Sequence, residues 1–101
     1  MARELLVCHG GSGTVLGGLA AGLHQVIVPL GADQPFNAES IVAIGAGLAL
    51  KMPDAETLAA TIRRALDEPG FRRAARAASA EMAALPSIDD AVNALLEFAA
   101  R

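Results

Sequence analysis

The stretch Cys8-His9-Gly10-Gly11-Ser12-Gly13-Thr14 joins two segments of different character. Before it runs Leu5-Leu6-Val7-Cys8, continuously apolar, as expected of a strand buried on both faces of a parallel sheet. After it, Thr14 to Ala21 reads as a helix, with Gly22 placed to end it. A glycine-rich turn between a strand and a helix N-terminus combines unpaired N–H groups, the positive end of the helix dipole and a backbone that an anion can approach closely. Ser12 and Thr14 add hydroxyl donors, so the segment suits a phosphate or diphosphate. His9 falls at the carboxyl end of the strand, where open α/β sheets bind ligands. Its neutral ring offers one donor to a phosphoryl oxygen, and its cation two.

The neighbouring segments extend this unit. Val26-Ile27-Val28 reads as a second buried strand, giving a βαβ arrangement. A polar loop, Gly31-Ala32-Asp33-Gln34-Pro35, precedes a helix from Asn37 to Ile44 and a short third strand, Leu48-Ala49-Leu50. The second half is helical. Asp54 caps a helix with Leu58, Ile62 and Leu66 on one stripe. Pro69-Gly70 then punctuates the chain, and Phe71, Ala75, Ala78, Met82 and Leu85 mark a second helix. Ser87, with Asp90 in the first turn, caps a third, whose apolar face continues through Leu95 and Ala99.

Composition narrows the functional classes. The chain has 101 residues, a net charge of -3 and 53% hydrophobic residues, which argues for one folded domain over residues 1–101 and against disorder. A sequence pI near 5.2 argues against a nucleic-acid binder. No apolar run approaches the ~20 residues of a membrane helix. Met1-Ala2-Arg3-Glu4 does not lead into a secretory signal, so a soluble cytoplasmic protein is expected. A single cysteine excludes an internal disulfide and a cysteine-rich zinc module. Aromatics are only 3%, so the core must be built from Leu, Val, Ile and many Ala, and should be thin. Arg63, Arg64, Arg72, Arg73 and Arg76 cluster in the helical half; a solvated mixed-charge surface accounts for them better than a phosphate patch.

Several known patterns fail. No Gly-Lys-Ser/Thr follows the loop, so it is not a P-loop. Gly11, Gly13 and Gly17 run G-x-G-x-x-x-G, one residue longer than a dinucleotide fingerprint, and Asp33 is an imperfect ribose acid. Asp33-Gln34 offers acceptors and donors suited to sugar hydroxyls, although a turn with Asn37 as helix cap explains the same residues. Gly17 and Gly18 fall inside a helix, where each costs ~1 kcal/mol, and close packing against the sheet or a ligand would explain them. Cys8 reads as a buried strand residue, and His24, at the other end of the sheet, carries no assigned chemistry.

Taken in order, His9-Gly-Gly-Ser-Gly-Thr14, Leu19-Ala-Ala-Gly22, Gln25-Val-Ile-Val-Pro29 and Asp33-Gln-Pro-Phe-Asn-Ala38 closely resemble nucleotide-sugar-dependent glycosyltransferases of the GT-B type, family 1, especially bacterial enzymes that glycosylate natural products. The likeness continues through Gly45-Ala-Gly47, Glu68-Pro-Gly-Phe-Arg72 and Glu81-Met-Ala-Ala-Leu-Pro86. The resemblance implies half of a Rossmann-like GT-B C-terminal domain, with about three parallel strands, flanking helices and a helical C-terminal half. It implies that His9, Gly10, Gly11, Ser12, Gly13 and Thr14 hold the donor diphosphate, and that Asp33 and Gln34 bind the donor sugar. It implies a UDP- or TDP-linked sugar as substrate, and neither a bound metal nor another cofactor. Plant members carry a ribose-binding glutamate where Gly17 stands, and a proline is common where His24 stands, which implies a looser turn here. The acceptor domain and catalytic base of such enzymes fall outside the resemblance, so the isolated chain is expected to be inactive. The Leu5–Cys8 strand would normally pair with an earlier strand, and its free edge points to a homo-oligomer or another protein chain as partner. A stand-alone nucleotide-binding or assembly module working with a separate chain, and a small dinucleotide-binding protein, are the alternatives.

Overall fold

The computed structural model describes residues 4–100. Met1 to Arg3, which enter the leader argument, and Arg101 lie outside the described residues. Three parallel strands, β1 (Leu6–Cys8), β2 (Gln25–Ile27) and β3 (Gly47–Ala49), form a sheet in that order. Helices α1 (Ser12–Ala20) and α2 (Gln34–Ala43) make the two crossovers, and α3 (Ala55–Asp67), α4 (Pro69–Ala83) and α5 (Ile88–Ala99) follow. The register sets Leu6 opposite Gln25 opposite Gly47, so all three strands end at one level. The expected α/β order is present, and the strand and helix limits shift by one or two residues, apart from α2.

That helix begins at Gln34, not Asn37, and Asp33 and Gln34 are not a free polar loop. Pro35 does not prevent this, because a proline in the first helical turn gives up only an N–H that has no intrahelical partner. The three-residue extension carries Gln34 onto the helix and Asn37 into its interior.

The strands differ in burial. Every residue of β2 is buried, because α1 and α2 lie over one face, with Ile27, Val15, Leu19, Ala38 and Ile41 in a common cluster, while α3 packs over the other. β1 departs from the expectation of burial on both faces: Val7 is 47% exposed and Cys8 only half-buried. β1 is an edge strand, and α3 packs against β2 and β3 without covering it. Among the described residues its outer edge pairs with no strand.

Packing is closest around Gln25, which is fully buried. Its amide nitrogen donates to the Val15 carbonyl of α1 at 3.0 Å. A Cβ at Gly18 would lie 2.6 Å from Leu6 Cδ2 and 3.1 Å from Gln25 Nε2, and one at Gly47 would run into the Gln25 carbonyl. The glycine in α1 is therefore a spacer for the buried amide. Gly17, its neighbour, has nothing within 4 Å of a Cβ position, so the packing expected of both glycines holds only for Gly18.

The helical half braces the amino ends of the strands. α4 packs on α1, Ser79 Oγ donates to the Ala20 carbonyl at 2.7 Å, and Ala75 is fully buried. His24, at the start of β2, is also buried, and its Nε2 donates to the Ala65 carbonyl of α3 at 2.8 Å. It pins the turn that the resemblance implied would be loose. Asp54 and Ser87 cap α3 and α5 as expected, Ser87 and Asp90 forming a reciprocal capping box. α5 buries none of its residues, and Ile88, Leu95, Leu96 and Phe98 are all exposed. No described helix is long and apolar enough to cross a membrane.

Two stability tests follow from this packing. With Nε2–H committed to Ala65, a proton on His24 Nδ1 would be buried without an acceptor, and burial lowers its pKa from 6.5. The unfolded chain then binds this proton more readily than the folded one. The contribution of His24 is complete above pH 6.5 and is lost as the pH falls through 6.5 towards the lowered folded-state value. Urea denaturation from pH 8 to pH 5 should show this loss, and His24→Gln should flatten it. Gly17→Ala should stabilise the chain by roughly 0.5–1 kcal/mol, by removing a helical glycine at an open site. Gly18→Ala should destabilise it by about 1–3 kcal/mol through overpacking. Equal effects at the two positions would contradict the spacer role of Gly18.

Candidate functional site

At the carboxyl ends of β1 and β2 two loops face one another. The first leaves β1 through His9 and Gly10 and enters α1 at Gly11, whose extended backbone makes it the N-cap. Gly10 has φ +94° and lies against Ile27 and Gln34; a Cβ there would fall 2.9 Å from Ile27 Cγ2 and 3.1 Å from the Gln34 carbonyl oxygen. Only glycine fits both the conformation and the space. Gly11 and Gly13, by contrast, have nothing within 4 Å of a Cβ position, so the backbone there is open to a ligand.

The first intrahelical bond runs from the Val15 N–H to the Gly11 carbonyl at 2.9 Å, and no side chain caps this N-terminus. The amides of Ser12, Gly13 and Thr14 precede that bond and stand at the positive end of the helix dipole. Thr14 is exposed in the same turn. Backbone donors, the Thr14 hydroxyl and the open glycines share one turn, as an anion site requires, whereas the Ser12 hydroxyl expected to join them gives its proton to Asp33.

His9 is exposed at the end of β1, and its Nδ1 lies 3.0 Å from the Val28 carbonyl oxygen. That oxygen can only accept, so Nδ1 carries the proton. The neutral ring then presents Nε2 as a bare acceptor, which corrects the expectation that neutral His9 can donate to a phosphoryl oxygen. Only the imidazolium can donate through Nε2. Beside this ring an open groove of about 590 Å³ is lined by Val7, Val28, Met52, Pro53 and Leu58.

The second loop follows β2. Ala32 has φ +55°, and the turn is closed by Gln34, whose Oε1 accepts from the N–H groups of Leu30 at 2.8 Å and Gly31 at 3.2 Å. The carboxamide oxygen is thus occupied, which leaves the Nε2 donors as the free polar groups of Gln34. The exposed Asp33 takes a hydrogen bond from Ser12 Oγ at 2.7 Å on its Oδ2. That hydroxyl, and after it the Asn37 amide, hold the Asp33 carboxyl below its usual 3.8. Asp33 is therefore a carboxylate at neutral pH, with further lone pairs to accept from hydroxyls.

All eight residues expected at the site fall on these two loops or in the first turns of the helices they enter, and Ser12 and Asp33 touch directly. Sequence reading missed two groups, the Val28 carbonyl and Asn37. Asn37 donates to the Gly10 carbonyl at 2.8 Å and to Ser12 Oγ at 3.2 Å. Its position three residues beyond Gln34 was the available signal, hidden by its reading as a helix cap. Cys8 borders the groove beside His9, and its Sγ lies 3.8 Å from Gln25 Oε1. The arginine cluster is elsewhere. Arg64 pairs with Glu68 at 2.9 Å and lies over the Phe71 ring, while Arg72 and Arg76 line a separate hollow with Gly22 at the opposite end of the sheet.

Known proteins share this architecture. Over 85 residues the chain is 46% identical to the elloramycin glycosyltransferase ElmGT of Streptomyces olivaceus, a match covering 84% of this chain and 21% of that protein. A sterol 3-beta-glucosyltransferase of Vanderwaltozyma polyspora is 38% identical over 99 residues, covering 95% of this chain and 8% of the relative. Among solved structures, the spinosyn forosaminyltransferase SpnP superposes with a TM-score of 0.85 at 29% identity, covering 95% of this chain and 26% of that one. The glycosyltransferase VinC in complex with dTDP superposes with a TM-score of 0.81 at 36% identity, covering 90% and 24%. The chain thus spans about a fifth of the length of ElmGT and about a quarter of the two structures. The family described as "Erythromycin biosynthesis protein CIII-like, C-terminal domain" matches residues 2–98, and the chain belongs to it, with the fold of the GT-B C-terminal domain.

Proposed function

We propose that this chain binds a nucleoside diphosphate sugar, UDP- or TDP-linked, as the donor of a glycosyl group to an acceptor hydroxyl. The observation that carries the reading is the uncapped α1 N-terminus facing the Asp33-Gln34 loop across the Ser12–Asp33 hydrogen bond. Amides of the first α1 turn and the His9 side chain would hold the diphosphate, and Asp33 and Gln34 the sugar. As the glycosyl–phosphate bond breaks, charge grows on the diphosphate, where the helix dipole and fixed donors stabilise it without a metal. Inversion at the anomeric carbon is the outcome suggested by the family likeness. The acceptor and the base that takes its proton would come from outside these residues, so the chain alone should bind donor without transferring sugar.

Calorimetric titration of the chain with TDP, UDP and NAD tests this. TDP or UDP should bind and NAD should bind more weakly. His9→Ala should weaken binding by about tenfold or more, the usual cost of a hydrogen bond to a charged group. NAD binding as well as TDP would favour the dinucleotide alternative, and no nucleotide binding would defeat the proposal.

The outer edge of β1, which pairs with no strand among the described residues, and the exposed Val7 beside it support a second element of the reading, assembly with another strand-bearing chain. In isolation that chain would be a second copy. Sedimentation should give species larger than the monomer, with slowed amide exchange over residues 5–8. A monodisperse monomer with fast exchange there would count against it.

A further inference from the structure

Asn37 stands in the first turns of α2, half-buried between the two loops. Its carboxamide nitrogen has two protons and two acceptors, the Gly10 carbonyl at 2.8 Å and Ser12 Oγ at 3.2 Å. These acceptors flank Gly11, where the chain turns into α1. Each contact fixes something specific. The Gly10 carbonyl is drawn towards α2, and because the peptide is trans, the Gly11 N–H must point away from α2. The Ser12 hydroxyl, accepting from Asn37, is left with its one proton for Asp33 Oδ2 at 2.7 Å. One carboxamide therefore sets the plane of a glycine-loop peptide and the direction of the hydroxyl that joins this loop to Asp33.

We infer that Asn37 is a positioning residue that couples the diphosphate loop to the sugar-facing carboxylate, so that the two halves of the donor site are held as one unit. The inference rests on the donor-binding reading. It assigns Asn37 no contact with the donor. Without its amide, the Ser12 hydroxyl is free to rotate away from Asp33 and the Gly10–Gly11 peptide is free to turn, so both subsites loosen together. A residue that merely filled space would be replaced without loss by one of the same shape.

Asn37→Leu supplies a similar shape without donors or charge, and Asn37→Ala removes both shape and donors. Each variant of the full chain is first checked for folding by its thermal transition. Two readouts are then compared with the unaltered chain: the Asp33 carboxyl titration by carbon-13 NMR, and calorimetric affinity for TDP and for TDP-glucose. In the unaltered chain the Asp33 carboxyl is held below 3.8 chiefly by the Ser12 hydroxyl, which Asn37 orients. The expected result is an upward move of the Asp33 midpoint in both variants, with affinity for both nucleotides falling about tenfold or more. The advantage of TDP-glucose over TDP should shrink as well. If Asn37→Leu folds and leaves both the midpoint and the affinities unchanged, Asn37 is a packing residue and the inference is overturned. If the unaltered chain binds neither nucleotide, the donor-binding reading fails and takes the role in donor positioning with it. Normal binding by the unaltered chain with equal binding by the variants would overturn the role of Asn37 alone.

Discussion

One buried carboxamide holds the upper layer to the sheet. Gln25 sits at zero exposure in the central strand and donates to the Val15 carbonyl of α1. A buried amide without partners would cost several times what a satisfied one contributes, so α1 cannot slide without breaking this contact. Gly18 clears the volume that the amide needs, and Gly47 lets β3 close against the Gln25 backbone. The N-terminus of α1 is thereby fixed relative to the end of β2. The distance from Ser12 to Asp33 depends on that, although neither residue touches Gln25.

The remaining stability is unevenly spread. Val15, Leu19, Val26, Ile27 and Ile41 are the larger buried aliphatic residues, and alanines fill most of the rest of the core. Burying each large side chain is worth roughly 1.5–3 kcal/mol, and an alanine much less, so cohesion concentrates around β2. β1 and α5 lie outside that centre. α5 takes its starting point from the capping box at Ser87 and Asp90, yet a helix of 12 residues gains little from propensity alone. Its apolar residues are among the most exposed of the chain, with Ile88 at 83% and Phe98 at 72%.

Much of this was legible along the chain, and the parts that were not share a cause. The strand-to-helix turn at Gly10–Gly13, the caps at Asp54 and Ser87 and the helix stop at Gly22 are local devices, carried by residues within a few positions of each other. The start of α2 was hidden because Asp33, Gln34 and Pro35 all favour turns, and only Gln34 folding back onto the Leu30 and Gly31 amides shows that the turn and the helix are continuous. Apolarity marked β1 as a strand, but whether both faces are covered depends on where α3 lies. The donor set of His9 depends on a carbonyl 19 residues away, and the role of Asn37 on one 27 residues away. Neither separation leaves a periodic trace.

The glycines around the site divide into two kinds, and the division bears on how its specificity could change over generations. Gly10 and Gly18 are hemmed in by Ile27, Gln34, Leu6 and Gln25, so their replacement disturbs the scaffold before it alters any ligand contact. Gly13 and Gly17 meet nothing, and both lie on α1, the helix whose first turn faces the second loop. Side chains can be added there one at a time with little effect on the fold. A side chain at Gly17 would thus vary the outer face of α1 while the floor stays fixed, whereas one at Gly13 would close the backbone that an anion approaches, so the fold tolerates both changes and the site only the first.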